Sequence, residues 1–186
     1  NTADEANLPR IEGELNINLS AISEGSNIVV SGMYQEAEFQ SGGGGPEIEA
    51  EGVHVGGTLV GGPLALTAHY YNGECLGITL QMDSGGMSDD GICRDHDGYY
   101  VQGTYNYGAG KMGISWGGSY QDMAGNDNGS GYDPKNSQEM FTAGIYHNLA
   151  PEWLAVAEYS HAEESWHNMD AGDEDGESDI FSVGMF

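Results

Sequence analysis

Apolar and polar residues alternate along most of this chain with a period of two, which is typical of β-strands that have one apolar face. The clearest case is residues 111–121, where Ile114 and Trp116 fall on one face and glycine, serine and glutamine fall on the other. Residues 99–107 alternate in the same way, and Gly-Ala-Gly at 108–110 marks a turn between the two segments. The pattern predicts an antiparallel hairpin with one apolar and one polar face.

Seven further segments alternate less regularly and are also predicted to be strands. They are residues 11–22, 27–39, 48–60, 64–72, 138–149, 152–161 and 179–186. Within the second of these, the apolar residues change face near Met33, which a β-bulge would explain. Residues 152–161 could instead form a helix with Pro151 in its first turn. The two-residue spacing of Trp153 and Ala155 favours a strand.

The connections between these nine strands alternate between short and long. The short ones are 23–26, 61–63, 108–110 and a turn near residue 150, and the long ones are 40–47, 73–98, 122–137 and 162–178. Outer-membrane β-barrels show this asymmetry, with short periplasmic turns and long external loops. The loops of a soluble β-sandwich should not sort in this way. We therefore expect an all-β fold, an antiparallel transmembrane β-barrel in which residues 1–186 form one domain.

Nine strands would place the two ends of the chain on opposite sides of a membrane. Bacterial single-chain barrels have even strand numbers with both ends in the periplasm. Either the number of predicted strands is wrong by one or further strands precede Asn1, and we expect the second. A helical membrane protein is excluded, because no stretch approaches the roughly 20 apolar residues that a membrane helix needs. A secreted, soluble, acidic β-sandwich that acts as a binding module remains the alternative.

The chain is strongly acidic, with 30 Asp and Glu residues against 4 Lys and Arg and a formal net charge of -26. Nucleic acid is excluded as a partner, because binding phosphates requires clustered basic residues. So many acids repel one another, but salt at roughly 1 M shortens the range of this repulsion to about 3 Å. A protein in high salt can therefore tolerate such an excess, and we expect a marine or halophilic source. Most of the acids fall in the long connections, for instance in residues 163–179.

Tyrosine and tryptophan residues lie near the ends of the predicted strands. An aromatic girdle at each membrane interface would require residues of this type at these positions. The residues are Tyr70, Tyr71, Tyr99, Trp116, Tyr120, Trp153 and Tyr159.

Two short motifs resemble catalytic or cofactor-binding signatures. Residues 108–113 match the dinucleotide-binding pattern GxGxxG, and residues 113–117 match the hydrolase pattern GxSxG. Each signature requires a helix after the motif, whereas a strand is predicted here, with Ser115 in its middle. The six histidines show no metal-ligand spacing. We therefore expect no enzymatic activity, no cofactor and no dedicated metal site.

The two cysteines, Cys75 and Cys93, lie within one polar segment. In an oxidising compartment we expect them to form a disulfide, although two free thiols remain the alternative. Residues 126–133 and 170–179 contain many potential Ca²⁺ ligands but lack the EF-hand spacing. We expect them to be solvated loops, with adventitious or lipopolysaccharide-bridging divalent cations as the alternative.

Several segments carry a resemblance to a known family. They are GYYVQGTYNY at 98–107, KMGISWGG at 111–118, FTAGIYHNL at 141–149 followed by WLAVAEYS at 153–160, and FSVGMF at 181–186. Together they resemble the C-terminal half of Gram-negative general porins. The resemblance implies a sixteen-stranded, homotrimeric barrel in the bacterial outer membrane, of which this chain would supply just over half.

The resemblance also indicates how this chain departs from the family pattern. Family barrels end in Phe with an aromatic residue two positions earlier. Phe186 is present here, but Gly184 occupies the other position. This implies that a few terminal residues are missing. The family's inward-folded constriction loop would lie before or near the start of the chain, so no constriction residue is assigned.

These inferences predict a porin, a water-filled channel for the passive diffusion of ions and small hydrophilic solutes. Carboxylates at its edge should favour cations. Its surroundings would be outer-membrane lipid and lipopolysaccharide. The predicted pore-lining residues are Glu12, Glu14, Asn16, Asn18, Gln102, Thr104, Asn106, Ser115, Ser119, Gln121, Thr142 and Glu158.

Overall fold

The computed structural model describes residues 9–38, 47–76, 86–88, 91–124, 135–167 and 174–186. These residues form nine strands. Their bounds are β1 Ile11–Asn18, β2 Asn27–Glu38, β3 Glu47–Gly61, β4 Leu64–Glu74, β5 Asp95–Asn106, β6 Gly110–Gln121, β7 Lys135–Ala150, β8 Trp153–Trp166 and β9 Glu174–Met185. The expected all-β fold is confirmed.

The nine strands form one sheet in chain order, and each pairs with its neighbour in the antiparallel direction. No second sheet or helix packs on it within the described ranges. Buried hydrophobic side chains are correspondingly few there: Val29, Ile48 and Ala124. A soluble domain requires at least two packed layers around a core. The sandwich alternative is therefore wrong for the part of the chain that the structure describes.

No described helix has the length and hydropathy required to cross a bilayer.

The strand register separates the side chains onto two faces, because residues directly opposite each other point to the same side of a sheet. We call one the apolar face; a row across it consists of Leu59, Leu66, Gly103, Ile114, Ala143, Tyr159 and Phe181. We call the other the polar face; a row across it consists of Asn18, Asn27, Thr58, Thr67, Gln102, Ser115, Thr142 and Ser160.

Aromatic residues border the apolar face on both sides. Tyr99 on β5 and Tyr107, one residue past its end, flank Val101, Gly103 and Tyr105. Residues 99–107 have a length close to the roughly 9–11 residues with which a tilted strand crosses a bilayer. Six of the seven aromatic residues predicted for the girdle lie on the apolar face: Tyr70, Tyr99, Trp116, Tyr120, Trp153 and Tyr159. The prediction is wrong for Tyr71, which is paired with His54 and Gly98 on the polar face.

Other strand predictions are confirmed in position but differ in length. Residues 153–161 are strand rather than helix. The first strand ends at Asn18, not at residue 22, because the Asn18 side chain accepts a hydrogen bond from the Ser20 backbone and starts a turn. The bulge predicted near Met33 is wrong, since the register of β2 with both neighbours is continuous there. Bulges or irregularities occur instead at two places in the β7–β8 pair.

The last connection is shorter than predicted. Residues 162–166 continue β8 and residues 174–178 begin β9, and Glu163 pairs with Glu177. The sequence predicts a loop at these positions because both strands extend past the apolar band, where acids replace apolar residues. The alternation of short and long connections is also less complete than the sequence suggested, since residues 19–26 form a connection as long as residues 39–46.

Candidate functional site

The polar face brings all twelve predicted pore-lining residues together on one side of the sheet. Gln102, Ser115 and Thr142 are directly opposite one another on three neighbouring strands. Thr104 and Glu158 lie in one row, separated by Gly113 and Gly144. The row that begins with Glu14 passes through Ser31 and His54 and also includes Ser119. Glycine, serine, threonine and asparagine dominate, so this face is polar and its side chains are short.

Charged side chains are sparse on the polar face and several are paired. Glu12 forms an ion pair with Arg10. Lys135 Nζ lies 3.1 Å from Glu164 Oε2 and 5.4 Å from the centre of the Trp166 ring. Each of these carboxylates therefore has a basic partner.

A second group of polar-face contacts lies on β6, β7 and β8. Lys111 Nζ lies 5.4 Å from the centre of the Tyr146 ring, and the Tyr146 hydroxyl donates a hydrogen bond to Glu158. Glu158 is thus oriented by a neutral donor. The carboxylates described on this face are Glu12, Glu14, Glu158 and Glu164, and the lysines are Lys111 and Lys135.

Gln121 differs from the other eleven predicted residues. Gln121 is only 4% exposed, and it lies opposite His96, which is 1% exposed. Gln121 Oε1 lies 2.7 Å from His96 Nε2, and its amide donates to the Lys135 carbonyl oxygen at 3.2 Å. Gln121 is therefore on the expected face, but its side chain holds strands together instead of facing open space.

The described residues next to the ends of β4 and β5 contact each other and the polar face. A disulfide joins Cys75 to Cys93, and the Cys75 amide donates to the Arg94 carbonyl oxygen at 3.0 Å. Leu76 covers Gly52 on the polar face, where an added Cβ would lie 3.0 Å from a Leu76 methyl carbon. Arg94 is 1% exposed. The disulfide thus closes a segment whose described ends cover the polar face near the long connections, a position that the sequence did not reveal.

Two histidines that looked unrelated in the sequence are in contact on the polar face. His54 Nε2 lies 2.8 Å from His69 Nδ1, and the two rings are nearly parallel, with centres 5.0 Å apart. His54 Nδ1 lies 3.2 Å from the Ser31 hydroxyl oxygen. Only the register of β3 with β4 creates this pair, so no sequence spacing could have indicated it. The described residues contain no group of three or more potential metal-binding side chains.

The apolar face ends in acids at the side of the long connections. Glu51, Glu74 and Asp95 are directly opposite one another, as are Glu139, Glu163 and Glu177. The indole of Trp116 donates to Glu139 at 3.1 Å, and the Tyr120 hydroxyl donates to the same carboxylate at 2.7 Å. The boundary between aromatic residues and carboxylates is therefore sharp.

The structure shows where the two sequence motifs and part of the acidic segments lie. Residues 110–121 form β6, so neither the GxGxxG nor the GxSxG pattern precedes a helix. The proposed Ca²⁺ segment 126–133 lies outside the described residues. Of the second acidic segment, 170–179, the part from Glu174 onwards belongs to β9 and is not a loop.

Comparisons with known proteins agree with this architecture. A family model described as Gram-negative porin matches residues 3–166. The outer membrane channel DcaP of Acinetobacter baumannii has a similar structure, with a TM-score of 0.78 and 13% sequence identity. The match covers 99% of this chain and 53% of that one, so the chain spans about half the length of that channel. A search of curated proteins finds no match.

Proposed function

The chain belongs to the Gram-negative porin family of the bacterial outer membrane, and from this premise we propose that its sheet forms part of the wall of a water-filled channel. Ions and small hydrophilic solutes would diffuse passively through this channel along the polar face. The apolar face would contact lipid.

The observation that carries this proposal is the uninterrupted apolar face across nine strands. Ile114 is 60% exposed, Trp116 54% and Phe181 73%, and nothing in the described structure covers them. An exposed apolar surface of this size marks contact with a membrane or with another protein, and the family places the chain in a membrane. A bilayer also requires every backbone polar group to be hydrogen-bonded, which a closed antiparallel barrel achieves. The polar face then encloses water, as in other barrels of this type.

We further propose that the channel prefers cations. Arg10 and Lys135 neutralise Glu12 and Glu164, which leaves Glu14 and Glu158 without a basic partner among the described contacts. The only other described lysine on this face is Lys111, which contacts an aromatic ring. Carboxylates in a pore attract cations and repel anions. The net charge of -26 acts in the same direction.

The described residues next to the disulfide support a proposal for pore width. Leu76 covers the polar face at Gly52, and Arg94 is buried. We propose that Leu76, Arg94 and the Cys75–Cys93 disulfide occupy space that the channel otherwise leaves to water and so narrow the passage at the side of the long connections.

The surroundings of the channel are also part of the proposal. The acids beyond the aromatic border would face lipopolysaccharide, which is also negatively charged. Divalent cations would bridge the carboxylates of the protein and the negative groups of the lipid. Directly opposed carboxylates such as Glu139 and Glu163 repel each other, so bridging cations would stabilise them. The resemblance to general porins makes a homotrimer the expected assembly.

The experiment that tests the channel proposal is a recording in planar lipid bilayers. The folded protein should insert from detergent and produce discrete conductance steps. In a KCl gradient, the reversal potential should have the sign that indicates cation preference. An anion-selective sign would contradict the proposed preference, and folded protein that inserts without conducting would contradict the channel itself.

A further inference from the structure

The contact between His54 and His69 brings two imidazole nitrogens together on the polar face. Neither residue belongs to the pore-lining set that the sequence predicted. Both side chains are half-buried, so they remain within reach of a small solute. His54 is opposite Tyr71, and His69 is opposite Gly56, so the two histidines are diagonal neighbours on adjacent strands. Diagonal neighbours of this kind are about 7–8 Å apart at the backbone, a distance that two long ring side chains can bridge.

His54 is oriented in the way that metal-binding histidines usually are. Its Nδ1 lies 3.2 Å from the Ser31 hydroxyl oxygen, which can accept the Nδ1 proton. Its Nε2 is then unprotonated and directed at His69. An outer partner that fixes the tautomer and the ring in this manner is a general feature of metal-ligating imidazoles.

The neighbouring backbone is adapted to the position of His69. An added Cβ at Gly56 would overlap the Nδ1 atom of His69. Glycine at this position therefore allows the imidazole of His69 to lie flat across the neighbouring strand and reach His54. In the absence of metal, the His69 Nδ1 proton can occupy the hydrogen bond to His54. When a metal binds, that proton moves to Nε2 of the same ring, so His69 stays neutral and the proton count is unchanged.

The distance between the two nitrogens favours one coordination geometry. With metal–nitrogen bonds of about 2.0–2.1 Å, adjacent positions at 90° place the nitrogens about 2.9 Å apart, whereas a tetrahedral angle places them about 3.4 Å apart. The observed separation is 2.8 Å. Square-planar and tetragonal sites built from nitrogen and oxygen ligands are typical of Cu²⁺ and Ni²⁺. Small rotations of both rings would direct the two lone pairs at one ion.

We propose that His54 and His69 chelate a divalent transition-metal ion of the Cu²⁺ or Ni²⁺ class on the polar face, with water at the remaining coordination positions. The inference rests on the proposed function only in that the polar face must be open to water. An ion held there would add positive charge to a passage that otherwise favours cations, and it should reduce the cation current.

Calorimetric titration of the detergent-solubilised protein with NiCl₂ tests the site without requiring conductance. The protein should bind Ni²⁺ at a site that His54→Asn and His69→Asn each weaken by more than about tenfold, since loss of even an outer partner costs roughly 10- to 100-fold. Gly56→Ala should also weaken binding, although both ligands remain. His161→Asn is the matched control, because His161 lies on the apolar face beside Asp179 and Glu163. The His161→Asn variant should bind Ni²⁺ with the same affinity as the unmodified protein.

A spectroscopic measurement on the unmodified protein keeps the proposal testable if a variant fails to fold. Cu²⁺ added at one equivalent should give an electron paramagnetic resonance spectrum with coupling to two imidazole nitrogens. A spectrum of oxygen ligands alone would overturn the proposal, as would Ni²⁺ binding that His54→Asn and His69→Asn leave unchanged. Binding that is lost in these variants of a protein that does not conduct would support the site and refute the channel.

Discussion

Arginine substitutions at two neighbouring positions of β6 should have opposite consequences if the two faces of the sheet contact lipid and water. Ile114 is 60% exposed on the apolar face, and it pairs with Gly103 of β5, which lies midway along the chain between Tyr99 and Tyr107. Ser115 is the next residue, on the polar face. Ile114→Arg would place a guanidinium near the middle of the bilayer, whereas Ser115→Arg would place it in water.

The expected magnitude follows from the depth of Ile114 in the apolar band. A basic residue on the lipid face of a barrel costs about 2–4 kcal/mol at the bilayer midplane. That range corresponds to roughly a 30- to 700-fold decrease in the folding equilibrium constant. Ser115→Arg avoids the lipid, so we expect a cost of less than about 1 kcal/mol for a substitution in contact with water.

Urea unfolding in lipid vesicles measures both variants, with heat-dependent gel mobility as the indicator of the folded barrel. Comparison within one strand keeps the depth in the bilayer and the two partner strands the same. If Ser115→Arg is the more destabilising change, the faces have been assigned the wrong way round. Equal costs for the two variants would refute a sheet with lipid on one side and water on the other.

Three further predictions concern the polar face and the disulfide. Replacing both Cys75 and Cys93 by Ser should lower the free energy of unfolding by about 3 kcal/mol, as chain entropy predicts for a sequence separation of 18. Urea unfolding of the reduced, unmodified protein should show the same loss. An unchanged urea midpoint in the double variant would contradict the prediction. Gln121→Ala should cost about 1–3 kcal/mol, because it removes the partner of the buried His96, whereas Ser119→Ala on the same strand should be nearly neutral. Glu14→Gln on the polar face should move the reversal potential in a KCl gradient towards zero, whereas Glu177→Gln on the apolar face should not. Equal shifts in the two variants would show that long-range charge, and not the surface of the pore, determines the preference for cations.

The strands themselves could be predicted because each contains an apolar band. Residues 111–121 and 99–107 alternate so regularly that their pairing and both faces follow from the sequence alone. Where a strand extends past the band, the apolar residues disappear and the pattern is lost. For this reason the sequence predicts a loop at residues 162–166 and 174–178, although Glu163 and Glu177 are paired within the sheet.

The contacts between strands could not be predicted in the same way. Tyr71 looks like an interfacial aromatic residue next to Tyr70, and only its pairing with Gly98 shows that it lies on the polar face. The contact between His54 and His69 depends on the register of β3 with β4, which no local sequence pattern specifies. Leu76 packs over Gly52, which is likewise a tertiary contact between residues far apart in the sequence.

Modification of single cysteines during a bilayer recording tests most directly whether the polar face lines the conducting path. Ser115→Cys and Ile114→Cys place a thiol on the polar and on the apolar face of the same strand, while Cys75 and Cys93 stay bonded to each other. A charged, water-soluble thiol reagent should reduce the conductance of Ser115→Cys in discrete steps and leave that of Ile114→Cys unchanged. A current that responds to modification at position 114 and not at position 115 would contradict the proposal that the polar face encloses the channel.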